Sequence, residues 1–524
     1  MSKLKSKIDR WRLALLVFTV VYALLLLFNL GYMSLQWDEM PHLNGALLLT
    51  RGQTQNYLTT YGYYPPVYDL VTVGNYQLFG VSAASGRLAA VTFSLLSIWV
   101  IFEFANQAYG PKIALLSSIM LGVMPGFFWL SRVAMLETVL IFFFSIVMLF
   151  FLSWIKMNGN KALVLTCLFL GVGFLAKYQV AIAGLVMIIS LPLFFRDKFR
   201  IKFAKFLLIP IIAVAVIVPW LLVLYGANGS ADIRELLYVL QAGHEDRTQY
   251  SARFPAPVFY LIEMTWPFSD IPVHPVSLPL YILGLSGLVL WAWRRKPEDK
   301  LFLTWFVVVF VFFTLIPNKQ WRYVTPLFPV LAISAASLVL FGYSKITEAR
   351  AKVSKKRLLQ AAGILLVSLT IFSVAYSGYD AYQMVARDQI HIPVEEVGNF
   401  VAANVNENES VVILLPFNMF DQDMLRFYLP ATFRQSQVWQ YPELAVDAYK
   451  PSFNITEFIG LCQQKNTKLV FFYNYGANIP FFNTTLTLQD ISYDLYRSGR
   501  FSLDMNGTRL GVAPNAIYYT TFLG

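Results

Sequence analysis

The run Gln36-Trp37-Asp38-Glu39-Met40 sets two adjacent carboxylates directly after the first long apolar stretch of this chain. A carboxylate in that position can take a proton from an attacking hydroxyl. The other residues suited to chemistry are placed in a similar way. Arg132 and Glu137 bracket the connection between the third and fourth apolar stretches, and Lys177 stands between the fifth and sixth. Lys319, Arg322 and Tyr323 occupy the short turn between the ninth and tenth. Cations gathered at one membrane boundary can stabilise a phosphate as it leaves.

Each of these residues also has a purely structural use. Asp38 and Glu39 can cap an interfacial helix, Lys177 can snorkel from the end of a short span, and Lys319 and Arg322 can anchor topology. Arg87 suits a partner at a helix end. Tyr64 and Tyr68, in the aromatic run Tyr61 to Tyr68, can line a sugar site by stacking or belong to an interfacial aromatic belt. His244, in Gly243-His244-Glu245-Asp246-Arg247, suits a solvated loop or a metal or acceptor site, and His274 is similar.

The elements that must hold these groups are membrane helices. The chain is 524 residues long, 57% hydrophobic and only 14% charged, which excludes an ordinary soluble globule. Apolar stretches able to cross a hydrocarbon core of about 30 Å fall near 12–32, 84–105, 111–130, 137–155, 162–176, 178–195, 206–225, 276–293, 301–316, 324–342 and 359–377. With the amino terminus inside, the connections on that side hold Lys3 to Arg12, Lys156, Lys161, Arg196 to Lys205, Arg294 to Lys300 and Lys345 to Arg357. The opposite side carries far fewer cations, which fixes the orientation. The net charge of +11 then meets anionic lipid headgroups and implies no nucleic acid.

From about residue 380 the pattern changes. Val411 to Leu415, Leu469 to Tyr473 and Ile517 to Thr521 predict buried strands, while Val394 to Val405 and Ile455 to Gln464 predict helices. Such alternation predicts a small α/β domain, placed outside by the odd number of spans. Sequons at Asn228, Asn408, Asn454, Asn483 and Asn506 all fall on that side. Cys167 and Cys462 predict neither a disulfide nor a metal site.

The span centres are almost free of charge, whereas a transporter more often carries ionisable groups or broken helices near the midplane. Boundary carboxylates with boundary cations fit glycosyl transfer from a lipid-phosphate sugar that arrives by lateral diffusion. A polyprenyl-lipid flippase and a structural or adhesion protein are the alternatives.

Further motifs recur in order: Tyr64-Pro65-Pro66-Val67-Tyr68, Leu78-Phe79-Gly80, Gly86-Arg87-Leu88, Ser131 to Glu137, Leu175-Ala176-Lys177, and Pro317 to Tyr323 with Pro326 and Pro329. With Trp37-Asp38-Glu39 they make residues 10 to 345 resemble the GT-C glycosyltransferases of the protein O-mannosyltransferase and aminoarabinose transferase superfamily. The resemblance implies that Asp38 is the base of an inverting reaction, supported by Glu39. It gives Glu137, where the family usually has aspartate, a role in positioning acceptor or donor. Lys177, Lys319, Arg322, Tyr323 and Arg132 are then expected at the donor phosphate, and Tyr64, Tyr68 and His244 along the substrate. The aminoarabinose branch carries Glu-Lys before the proline motif, where this chain has Tyr63-Tyr64. That departure removes a metal ligand and a cation, and argues against lipid A as acceptor.

The expected architecture is an all-α polytopic GT-C membrane domain of about eleven transmembrane helices over 1–379, with a small extracytoplasmic α/β domain over 380–524. The expected reaction moves a mannose-like hexose from a polyprenyl- or dolichyl-phosphate donor to a protein, glycan or lipid-linked acceptor. The expected setting is a multi-pass protein of the cell membrane, or of an ER-type membrane in a eukaryote. The residues assign no cofactor, and a divalent metal is left open.

Overall fold

The computed structural model describes residues 10–157, 159–194, 199–229, 253–266, 274–352, 356–387, 390–417, 419–442, 453–473, 488–502, 509–513 and 515–524. It divides into two compact units. One holds Met1–Leu30 with Thr54–Asp388, the other Gly31–Gln53 with Gln389–Gly524.

The first unit is helical. Every apolar stretch named above forms helix, from Arg10–Leu27 to Lys356–Arg387. Six helices among the described residues are long and apolar enough to cross a membrane, and several shorter apolar helices accompany them. The third stretch is broken in two, Pro111–Gly122 and Pro125–Leu130, because Pro125 cannot continue the helix before it. The closest packing joins Leu278–Arg294 to Leu327–Lys352. Gly284 and Gly287 lie against Leu331 and Ser334, and the Ser334 hydroxyl donates to the Gly284 carbonyl at 2.8 Å. Helices in lipid associate through such small-residue faces, where backbones approach closely. A second fastening joins Arg294 to the fully buried Asp299, which also accepts from the Tyr109 hydroxyl at 2.7 Å.

The second unit contains a mixed sheet of six strands: β1 (Ser410–Leu414), β2 (Val438–Tyr441), β3 (Thr467–Tyr473), β4 (Phe501–Ser502), β5 (Arg509–Leu510) and β6 (Ile517–Phe522). The order is β2-β1-β3-β6-β4, with β5 also on β6. β1 pairs in parallel with both β2 and β3, and β6 runs antiparallel to β3. Parallel neighbours need a crossover, supplied by helices Gln422–Tyr428 and Ile455–Gln464. Val412, Leu414, Trp439, Val470 and Phe472 pack with Phe458, Cys462, Ile491 and Leu495 into the core of this sheet.

The three predicted strands and both predicted helices are present. The strand Val438–Tyr441 and the helix Leu488–Arg497 were not foreseen. The cut expected at 379/380 lies inside the helix Lys356–Arg387, and the second unit also takes in residues 31–53. That last segment adds the helix Met40–Thr50, preceded by a 3₁₀ turn at Trp37–Glu39.

Candidate active site

In the second unit, the turn Trp37–Glu39 gives its two carboxylates different positions. Glu39 is fully buried and accepts from the Gln36 backbone N–H at 3.0 Å, so it holds the turn closed. Asp38 is exposed. Of the two carboxylates, Asp38 is the one open to solvent, and its neighbour shapes the backbone that carries it. Met40-Pro41 then starts the next helix, where proline is tolerated because its missing N–H would be unpaired anyway. His42 is buried one helical turn after Asp38.

In the first unit, Glu137 begins the helix Glu137–Met157 and accepts from Lys177 Nζ at 2.9 Å. Both side chains are largely withdrawn from solvent, at 5% and 14% exposure. The charge of Arg322 acts on the same carboxylate, and the Arg322 guanidinium also reaches Met135 Sδ at 3.3 Å and Gln320 Oε1 at 2.6 Å. One buried carboxylate thus stands among two cations. The 3₁₀ turn Trp321–Val324 that carries Arg322 is seated by Trp321, which lies beside Trp129 and Phe328. Tyr323 in the same turn lies against Phe313.

Lys319 is used differently. It is nearly buried, and its ammonium donates to the Ile316 and Pro317 carbonyls at 2.6 and 3.3 Å. Burial holds it below the usual lysine range. Arg132 donates to the carbonyls of Leu25, Leu26 and Asn29, at 3.0, 2.7 and 3.4 Å. Arg87 donates to Leu30 at 2.9 Å. Both arginines therefore cap the end of the first helix, where unpaired carbonyls and the helix dipole favour cations. For Arg87 that is the expected helix-end role, and Arg132, expected at the donor phosphate, is engaged with these carbonyls.

The proline motif lies beside Lys177. The Val67 N–H donates to the Leu175 carbonyl at 3.1 Å, and the Tyr178 hydroxyl to the Tyr63 carbonyl at 2.6 Å. The rings of Tyr63 and Tyr64 are 4.3 Å apart, and Tyr68 is fully buried. Asp69 was not singled out in the sequence. It is fully buried in the apolar helix Pro66–Phe79 and accepts from the Tyr57 hydroxyl at 3.0 Å. The available signal was a carboxylate inside an apolar helix, which is costly and therefore informative.

His244 lies outside the described residues, as do Asn483 and Asn506. His274 Nδ1 is 2.7 Å from the Thr265 carbonyl. Among the described residues no group of three or more His, Cys, Asp or Glu stands together as a metal site. Asn408 is exposed, and the Asn454 side chain caps the helix Ile455–Gln464.

Residues 64–223 match the model of the family described as dolichyl-phosphate-mannose-protein mannosyltransferase. The chain is 23% identical over 312 residues to the undecaprenyl phosphate-alpha-4-amino-4-deoxy-L-arabinose arabinosyl transferase 1 of Proteus mirabilis, covering 58% of this chain and 54% of that one. It is 26% identical over 230 residues to the corresponding transferase of Photorhabdus laumondii, covering 43% and 37%. The chain thus spans about half or less of the length of these relatives. Its fold is similar to that of ArnT from Cupriavidus metallidurans bound to undecaprenyl phosphate, with a TM-score of 0.64, 17% identity and 97% of each chain covered. It is also similar to the oligosaccharyltransferase AglB of Archaeoglobus fulgidus in complex with an inhibitory peptide and a dolichol-phosphate. There the TM-score is 0.59 with 12% identity, covering 90% of this chain and 70% of that one. Sequence motifs, family match and fold all support the resemblance to the GT-C glycosyltransferase superfamily.

Proposed function

We propose that this protein is an inverting glycosyltransferase that takes a sugar from a polyprenyl-phosphate donor. The observation that carries this reading is the buried Glu137–Lys177 pair with Arg322 acting on the same carboxylate. Two cations neutralised by one carboxylate leave an excess positive charge, which a lipid phosphate complements. The donor class is further supported by the undecaprenyl phosphate named for both the relatives and the ArnT structure.

The chemistry follows from the roles. An acceptor hydroxyl oxygen attacks the anomeric carbon from the side opposite the phosphate, and its proton passes to Asp38. The bond from that carbon to the phosphate oxygen breaks, and the electron pair leaves on the lipid phosphate, which Lys177 and Arg322 stabilise. Glu137 holds Lys177 in place until the phosphate arrives. We assign the sugar as a mannose-like hexose, which the match of residues 64–223 to the dolichyl-phosphate-mannose-protein mannosyltransferase model supports, while Tyr63-Tyr64, standing where the aminoarabinose branch carries Glu-Lys, argues against lipid A as acceptor. Eleven crossings, an inside amino terminus and an outside C-terminal domain complete the reading, with a protein, glycan or lipid-linked acceptor on the outer face.

The test is release of polyprenyl phosphate from a panel of radiolabelled polyprenyl-phosphate sugars by the purified protein, run beside Asp38→Asn. The wild type is expected to release it from one donor class. Asp38→Asn should lose about a hundred- to ten-thousand-fold in turnover, the usual range for one general base, with donor binding retained. A lipid that is bound and translocated by both proteins without release would establish a flippase instead.

A further inference from the structure

The turn that carries Asp38 is only three residues long, and both of its flanks are fastened to chain more than three hundred residues away. Upstream, the Ser34 N–H donates to the Ile390 carbonyl at 3.1 Å, and the Ile392 N–H donates to Ser34 Oγ at 2.6 Å. His391 stacks on Tyr32, with ring centres 5.1 Å apart. Downstream, Asn44 Nδ2 donates to the Asp423 carbonyl at 3.0 Å, and Arg51 Nη2 to the Leu429 carbonyl at 2.8 Å. Ser34 and Asn44 are buried. All of these bonds lie within the second compact unit, which includes residues 31–53.

We propose that Ser34, Asn44 and Arg51 are positioning residues that use the C-terminal part of the chain to hold Asp38 in its reactive placement. The inference rests on the glycosyltransferase reading. It gives the C-terminal part a task beyond holding an acceptor, since its backbone fastens the segment that carries the base on both sides. Glu39 fixes the turn internally, but an internal cap cannot decide where the whole turn lies. The fastenings at Ser34 and at Asn44 and Arg51 do that from both sides. All four groups they meet are backbone groups, of Ile390, Ile392, Asp423 and Leu429, so the placement depends on the fold of the C-terminal part and little on its side chains.

The experiment compares Asn44→Ala, Arg51→Ala, Ser34→Ala and the conservative Arg51→Lys with the wild type in two reactions: transfer to an acceptor, and acceptor-free hydrolysis of the same donor, in which water is the nucleophile. A misplacement of about 1 Å costs up to roughly a hundred-fold, so the alanine variants are expected to lose about ten- to a hundred-fold in kcat in both reactions. The donor KM should stay unchanged and Arg51→Lys should recover part of the loss, because an ammonium can still reach one carbonyl. Loss of transfer with hydrolysis intact would overturn the proposal and show that this face holds the acceptor only. Unchanged kcat in both reactions would overturn it too. If Arg51→Ala melts early, Ser34→Ala and Arg51→Lys decide alone, judged at equal melting temperature. A wild type that releases no polyprenyl phosphate under either condition would bring down the glycosyltransferase reading itself, and this inference with it.

Discussion

At the scale of single residues, three carboxylates divide two against one. Glu39 and Glu137 are both buried and both engaged, one with a backbone N–H and one with a lysine, whereas Asp38 is exposed. Removing one member of a buried ion pair leaves the other uncompensated, which costs about 3–5 kcal/mol. Glu137→Gln is therefore expected to lower the melting temperature of the lipid-free protein. Added undecaprenyl phosphate should recover much of that loss, because its charge takes the place of the carboxylate beside Lys177 and Arg322. A thermal-shift series with and without the lipid checks this, and a deficit that the lipid does not reduce would argue against a phosphate at Lys177.

Asp421 offers a second residue-scale case. Its carboxylate accepts from the Met424 N–H at 2.8 Å at the start of the helix Gln422–Tyr428. Burial, helped by the nearby charge of Asp423, pushes its pKa up to about 7. A raised carboxylate pKa favours the protonated form in the folded state. The stability it contributes is complete below about pH 4, the unfolded value, and is lost as the pH rises through about 7. At about 1.4 kcal/mol per unit the effect is a few kcal/mol at most. The wild type should therefore melt lower at pH 8 than at pH 5. Asp421→Asn, which keeps a capping oxygen and cannot ionise, should show a smaller difference.

At the scale of elements, close helix contact dominates. A Cβ on Gly287 would meet the Ser334 backbone, and one on Gly126 would lie 2.8 Å from Pro275 Cα. Overpacking of this kind typically costs about 1–3 kcal/mol. Gly287→Val is expected to destabilise more than Gly74→Val, because nothing stands within 4 Å of a Cβ on Gly74. Detergent melting of the two variants reads the difference.

The legibility of the sequence also belongs at this scale. Long apolar runs left little choice but helix, and Val411 to Leu415 or Leu469 to Tyr473 left little choice but buried strand. Val438–Tyr441 was missed because Gln440 interrupts a run of only four residues, and Leu488–Arg497 was missed although Leu488, Ile491 and Leu495 recur at helical spacing, because polar and charged residues separate them. The candidate site was legible as a list of residue types and less so as roles. Lys177 and Glu137 do meet, but nothing in Ser131-Arg132-Val133 indicated that Arg132 turns to the carbonyls of the first helix. Such a use depends on tertiary placement, which spacing along the chain does not carry.

At the scale of the whole molecule, the proposed orientation can be tested with the native cysteines silent, since Cys167 and Cys462 are both buried. A cysteine placed at the exposed Glu407 should react with a membrane-impermeant maleimide in intact cells. One placed at the exposed Arg10 should react only after lysis. The reverse pattern would invert the topology and remove Asp38 from the outer face.

The second compact unit is discontinuous in sequence, and this bears on how the protein comes into being. Residues 31–53 leave the ribosome more than three hundred residues before the carbonyls of Ile390, Asp423 and Leu429 that fasten them. A chain released before residue 389 would still contain Lys177, Glu137 and Arg322, but none of the carbonyls of Ile390, Asp423 and Leu429 that fasten the segment bearing Asp38. On the proposed reading, turnover is therefore expected only once the chain has been made past Leu429, and copies terminated earlier are expected not to consume donor lipid.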